Sequence, residues 1–92
     1  MHIALLEDEP TLAQEVKTLL EGVGHSVVTF EDGHSILRGL LKDTFDLFVL
    51  DWQVPGPNGL EVLQHLRTHA KILSPVVFLT SNNAEEQIVS AL

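Results

Sequence analysis

Asp46-Leu47-Phe48-Val49-Leu50-Asp51-Trp52-Gln53-Val54-Pro55-Gly56-Pro57-Asn58-Gly59 is the stretch that decides how this chain folds. Leu47 to Leu50 form an unbroken apolar run of strand length, which reads as a strand buried on both faces and therefore central in a parallel sheet. A carboxylate, Asp51, ends that run. The Pro55-to-Gly59 stretch cannot belong to a regular element, and Asn58 is placed to cap a helix buried through Leu60, Leu63 and Leu66.

The same alternation of short apolar run and helical spacing repeats along the chain, as successive βα units around a parallel sheet require. His2 to Glu7 reads as a first strand. Pro10 opens a helix whose stripe is Leu12, Val16, Leu19, Leu20 and Val23, and which Gly22 and Gly24 end. Ser26 to Phe30 reads as a second strand at an edge, and Asp32 caps a helix carrying Ile36, Leu37, Leu40 and Leu41. Pro75 to Thr80 is a fourth strand, and Ala84 to Leu92 begins a fourth helix. The expected fold is an α/β doubly wound parallel sheet formed as one domain over residues 1–92.

Composition bounds the function. Ninety-two residues, 45% hydrophobic and 20% charged, make one small globular domain. Thirteen acids against five Lys and Arg give a formal charge of −8, which repels a phosphate backbone, so direct nucleic-acid binding by these residues is not expected. The absence of cysteine removes thiolate chemistry. No apolar stretch approaches a membrane span and the N-terminus has no basic leader, so the expectation is a soluble, cytoplasmic protein with no membrane partner.

Glu7, Asp8 and Asp51 stand where two buried strands would stop, on the sheet edge where open α/β proteins bind ligands. Carboxylates crowded there repel one another and lose hydration unless a hard cation such as Mg²⁺ shares their charge. A carboxylate held beside that cation can attack a phosphoryl group and form an acyl phosphate. Asp51 is the candidate nucleophile, Glu7 and Asp8 are the candidate metal holders, and Thr80 offers a hydroxyl to the phosphate. Glu9, beside Pro10, reads as a first-turn acid favoured by the helix dipole.

These residues resemble the receiver domains of two-component response regulators along the whole chain. The resemblance is carried by Ile3-Ala4-Leu5-Leu6-Glu7-Asp8-Glu9, by Asp46 through Leu63, and by Val76-Val77-Phe78-Leu79-Thr80-Ser81. It implies a flavodoxin-like fold of strand order 2-1-3-4, with Asp51 accepting a phosphoryl group from a sensor histidine kinase. It further implies Asp8 as a direct Mg²⁺ ligand, Glu7 acting through water, Gln53 contributing its backbone carbonyl, Thr80 as switch hydroxyl and Ser81 as its small neighbour. The wording around Leu50-Asp51-Trp52 and Gly59 to Leu63 looks most like receivers joined to a winged-helix DNA-binding domain, which would regulate transcription through a part not present in these residues. Beyond its own phosphorylation and dephosphorylation, no enzyme activity is expected.

In the same family a fifth strand ending in Lys and a fifth helix follow, and neither is found in residues 1–92, so the domain is expected to be truncated with an incomplete fourth helix. The unpaired edge of the fourth strand is then expected to drive homo-oligomerisation. The other reading is an interaction module, or a chemically incompetent fragment, that works without phosphate. A metal-dependent phosphatase often carries a second acid where Gln53 stands, and Glu7-Asp8-Glu9-Pro10 would repel a flavin phosphate. His65 and His69 stand four apart on the third helix and could chelate a transition metal. With Glu61 a turn earlier on the same face, the preferred reading is a solvated polar stripe. Trp52 is expected as a partly exposed loop aromatic.

Overall fold

A computed structural model describes residues 1–80 and 87–91. Strands β1 His2–Leu6, β2 Ser26–Phe30, β3 Leu47–Asp51, β4 Val76–Thr80 and β5 Gln87–Ala91 form one sheet, with helices α1 Pro10–Gly22, α2 Gly33–Gly39 and α3 Gly59–Thr68 between them. The sheet order is β2-β1-β3-β4-β5. The first four strands pair in parallel in the expected 2-1-3-4 order, with β3 in mid-sheet and β2 at an edge.

Successive residues of a strand point to opposite faces, and both faces of this sheet are apolar. Ala4, Leu6, Phe48, Leu50, Val76 and Phe78 pack with Ile36, Val62 and Leu66 under α2 and α3, and Phe45 closes that cluster. Ile3, Leu5, Val27, Val49 and Leu79 form the other face, against Leu12, Val16 and Leu20 of α1. A helix on each side is what makes the fold doubly wound.

The faces of α1 and α3 are rotated from the expected ones, and α2 ends earlier than expected. In α1, Leu19 and Val23 are each 72% exposed, because the helix leans on β1 and β2 with Ala13, Leu12, Val16 and Leu20. Leu41 lies beyond the end of α2 and is exposed. In α3 the deep positions are Val62 and Leu66, while Leu60 in the first turn points outward.

The segment expected to begin a fourth helix instead holds β5, which runs antiparallel to β4 in the register Val77↔Ser90 and Leu79↔Ile88. The expected open edge of β4 is therefore paired within the chain, and β5 is the outer strand on that side of the sheet. The physical reason is local. A short isolated helix is marginal, whereas a strand containing Ile88 and Val89 satisfies the β4 backbone groups that would otherwise be left open.

Close backbone approaches set the loops at the C-terminal edge. A Cβ on Gly59 would lie 2.4 Å from the Asp51 carbonyl oxygen, and the Gly59 N–H donates to the Trp52 carbonyl at 3.1 Å. Gly33 N–H donates to the Pro55 carbonyl at 3.1 Å, so the start of α2 holds the loop between β3 and α3. Caps complete the turns: Asp32 accepts from Ser35 N–H, and Asn58 and Glu61 form a reciprocal capping box on α3.

The rotated face of α3 has a measurable consequence. Leu66→Ala should cost about 2–5 kcal/mol of unfolding free energy because it opens a cavity in a closed cluster. Leu60→Ala should cost less than about 1 kcal/mol. Chemical denaturation of the two variants checks the difference, and comparable losses would contradict this packing.

Candidate functional site

Parallel register delivers the acids to one place. Leu6 of β1 is level with Leu50 of β3, so the next residues, Glu7 and Asp51, leave the sheet side by side, and Asp8 follows in the loop. Carboxylate oxygens of Glu7, Asp8 and Asp51 all lie within 4.8 Å of one another. Among the described residues no other group of three or more His, Cys, Asp or Glu side chains converges in this way.

Among the described residues Glu7 and Asp51 are the two buried charged ones, 4% and 6% exposed, whereas Asp8 is open to solvent. Glu7 Oε2 accepts the Glu9 N–H at 3.0 Å, but its Oε1 is buried and has no partner. Asp51 Oδ1 accepts the Gln53 N–H at 3.4 Å. No Lys or Arg forms a salt bridge to the trio among the described residues.

Both buried acids are held toward their protonated forms. Burial pushes the Glu7 carboxyl up to about 7, and the charge of Asp51 adds to the shift against the opposing Glu9 N–H. Asp51 is raised as well, by burial and by the charge of Asp8, with the Gln53 N–H opposing. A buried orphan oxygen facing two further carboxylates suits a hard divalent cation, which would satisfy the oxygen and remove the repulsion together. These residues fit Mg²⁺.

The remaining candidates fall around this centre with unequal definition. Gln53 is two residues beyond Asp51 and joined to it through its N–H. The Thr80 backbone ends β4 one position past Leu79, the residue level with Asp51. Ser81 lies outside the described residues. Glu9 is no ligand: its carboxylate caps α1 by accepting from Thr11 N–H at 3.1 Å and Leu12 N–H at 2.7 Å. Trp52 is 40% exposed and its ring centroid lies 4.7 Å from that of Phe78.

Sequence reading missed the part played by Gly59. Any side chain there would press on the Asp51 carbonyl, so the glycine sets how closely α3 approaches the strand end. Its only signal was a glycine directly after the capping Asn58.

Four parallel strands of order 2-1-3-4, joined at one side by antiparallel β5, wound by helices on both faces and carrying an acidic trio at the carboxyl edge, define a flavodoxin-like α/β domain. The chain belongs to the response regulator receiver domain family, whose model matches residues 3–92. It is 33% identical over 93 residues to the chemotaxis protein CheY-3 of Vibrio cholerae, covering 99% of this chain and 72% of that protein. It is 35% identical to the phosphate regulon transcriptional regulatory protein PhoB of Escherichia coli, covering 99% of this chain but 40% of the relative. Among solved structures it resembles the response regulator TrrA of Thermotoga maritima in complex with Mg²⁺-BeF, with a TM-score of 0.74 and 29% identity. That likeness covers 86% of this chain and 68% of TrrA.

A carboxyl raised by burial holds a proton in the folded state that the unfolded chain has already released. Metal-free stability should therefore fall as pH rises through the window from 4.5 to about 7. The expected loss is roughly 1–3 kcal/mol, reduced in Glu7→Gln and reversed at the high end by millimolar divalent cation. Urea unfolding across the window checks it; a wild-type profile identical to that of Glu7→Gln would contradict it.

Proposed function

We propose that the chain is the phosphoacceptor part of a response regulator, taking a phosphoryl group from a sensor histidine kinase onto Asp51. The observation that carries this reading is the buried, unpartnered oxygen of Glu7 set among the carboxylates of Asp8 and Asp51. Glu7, Asp8 and Asp51, with the backbone carbonyl of Gln53, would hold Mg²⁺. When bound, that ion supplies positive charge to the phosphoryl oxygens.

The side chains provide the rest. Asp51 must be ionised to attack, and Asp8 and burial oppose its ionisation, so this nucleophile is poised only when the charge around it is balanced. Attack forms a bond from an Asp51 oxygen to phosphorus as the bond from phosphorus to the kinase imidazole nitrogen breaks. Thr80, at the end of the neighbouring strand, is the proposed hydroxyl that turns toward the phosphoryl group, with Ser81 beside it.

Phosphate on Asp51 would bias two arrangements around Thr80, and this population shift is the proposed output signal. The match to PhoB supports an output in transcription regulation, acting in the cytoplasm through a DNA-binding part outside these residues. Within the chain, no helix among the described residues is long and apolar enough to cross a membrane. The domain is proposed as a switch and not as an enzyme with an external substrate.

Trp52 makes the test direct, since it adjoins Asp51 and is the chain's single tryptophan. Mg²⁺ followed by beryllium fluoride or a small phosphodonor should change its fluorescence. Asp51→Asn should abolish the response to phosphodonor and accumulate no phosphoprotein by intact mass. A wild-type chain that binds Mg²⁺ yet takes no phosphoryl group from donor or kinase would favour the phosphate-independent interaction module.

A further inference from the structure

The last turn of α3 and the C-cap residue that follows it carry two imidazoles that the proposed switch does not use. His65 and His69 are one turn apart, joined by the hydrogen bond from His69 N–H to the His65 carbonyl at 2.9 Å. Their rings lie face to face, with centroids 5.0 Å apart and planes 11° from parallel. His69 is exposed and His65 half-buried.

Hydrogen bonding determines which nitrogen of His69 is free. The Thr68 hydroxyl donates its only proton to the Gln64 carbonyl at 2.6 Å. Its 3.0 Å contact with His69 Nδ1 then suits the ring nitrogen as donor, which in the neutral ring leaves the lone pair on Nε2. A second ring nitrogen held as donor to a protein oxygen is the support that metal-ligating imidazoles use to fix their tautomer. The expected polar stripe thus divides: Glu61 is committed to the α3 capping box, and the two histidines remain together without it.

We propose that His65 and His69 form a two-imidazole site for a borderline transition-metal ion of the Zn²⁺ class, separate from the acidic trio and selective against Mg²⁺. Imidazole pairs at this spacing on a helix bind such ions, whereas Mg²⁺ prefers oxygen ligands. Parallel rings are not yet in a chelating pose. Both nitrogens must come within about 2.0–2.1 Å of one ion, which requires the exposed ring of His69 to tilt toward His65. The other coordination positions are left to water or to a partner's side chain.

Zn²⁺ titration by calorimetry, in a roughly thousandfold excess of Mg²⁺ over protein, tests the site in the intact chain. A Zn²⁺-binding phase that survives Mg²⁺ is expected, weakened at least about tenfold in His65→Gln and in His69→Gln. Thr68→Val keeps the shape of the residue but removes the oxygen that orients His69, and should weaken Zn²⁺ by about tenfold with helix content unchanged by circular dichroism. In proton NMR, substoichiometric Ni²⁺ should broaden the ring signals of His65 and His69 before those of His2, His25 and His34. Equal Zn²⁺ affinity in wild type and both histidine variants, displacement of the phase by Mg²⁺, or first broadening at another histidine would overturn the proposal.

Discussion

Two carboxylates nearly removed from water, at the ends of adjacent central strands, are the constraint on which the functional edge of this protein depends. Parallel pairing of β1 and β3 leaves no freedom in their placement, because the Leu6–Leu50 level is followed by Glu7 on one strand and Asp51 on the other. In water their repulsion would be screened. Here burial raises the affinity of both for protons, and one oxygen of Glu7 finds no donor. A site in that condition is sensitive to any added positive charge.

Neighbouring segments are built around that edge. Gly59 lets α3 begin against the Asp51 carbonyl, Gly33 lets α2 hold the intervening loop, and Glu9 is withdrawn from the acidic group to cap α1. The opposite edge is tied differently. The His2 ring stacks on Phe45 with centroids 4.8 Å apart and bonds to Ser26 Oγ and to Asp43 at 2.7 Å. The His2 contact holds the Asp43 carboxyl below its usual range, so β1, β2 and the loop before β3 are joined by polar contacts where no ligand is expected.

Much of this was legible in the chain because the relevant signals are local and strong. The run Leu47 to Leu50 reads as a central strand and is one, the acids follow directly on such runs, and Asp32 and Asn58 cap the helices expected of them. Periodicity erred where helical spacing leaves two faces available. Leu19, Val23 and Leu60 fit an apolar stripe by number, but the tilt of a helix on its sheet decides which side of that stripe is covered. At Gln87 to Ala91 a helical reading gave way to β5, since the deciding partner, the edge of β4, is not in the neighbouring sequence.

By itself, then, the amino-acid order determined the parallel α/β framework, the identity of the acidic residues and the family to which they point. Those follow from apolar runs, caps and turn residues acting over a few positions. Only the tertiary structure decided that Glu7 and Asp51 are buried while Asp8 is not, that Gly59 limits the approach to Asp51, and that the last described segment pairs with β4. Burial, electrostatic coupling and strand pairing are properties of groups far apart in the chain. Their energies exist only once the sheet has brought those groups together.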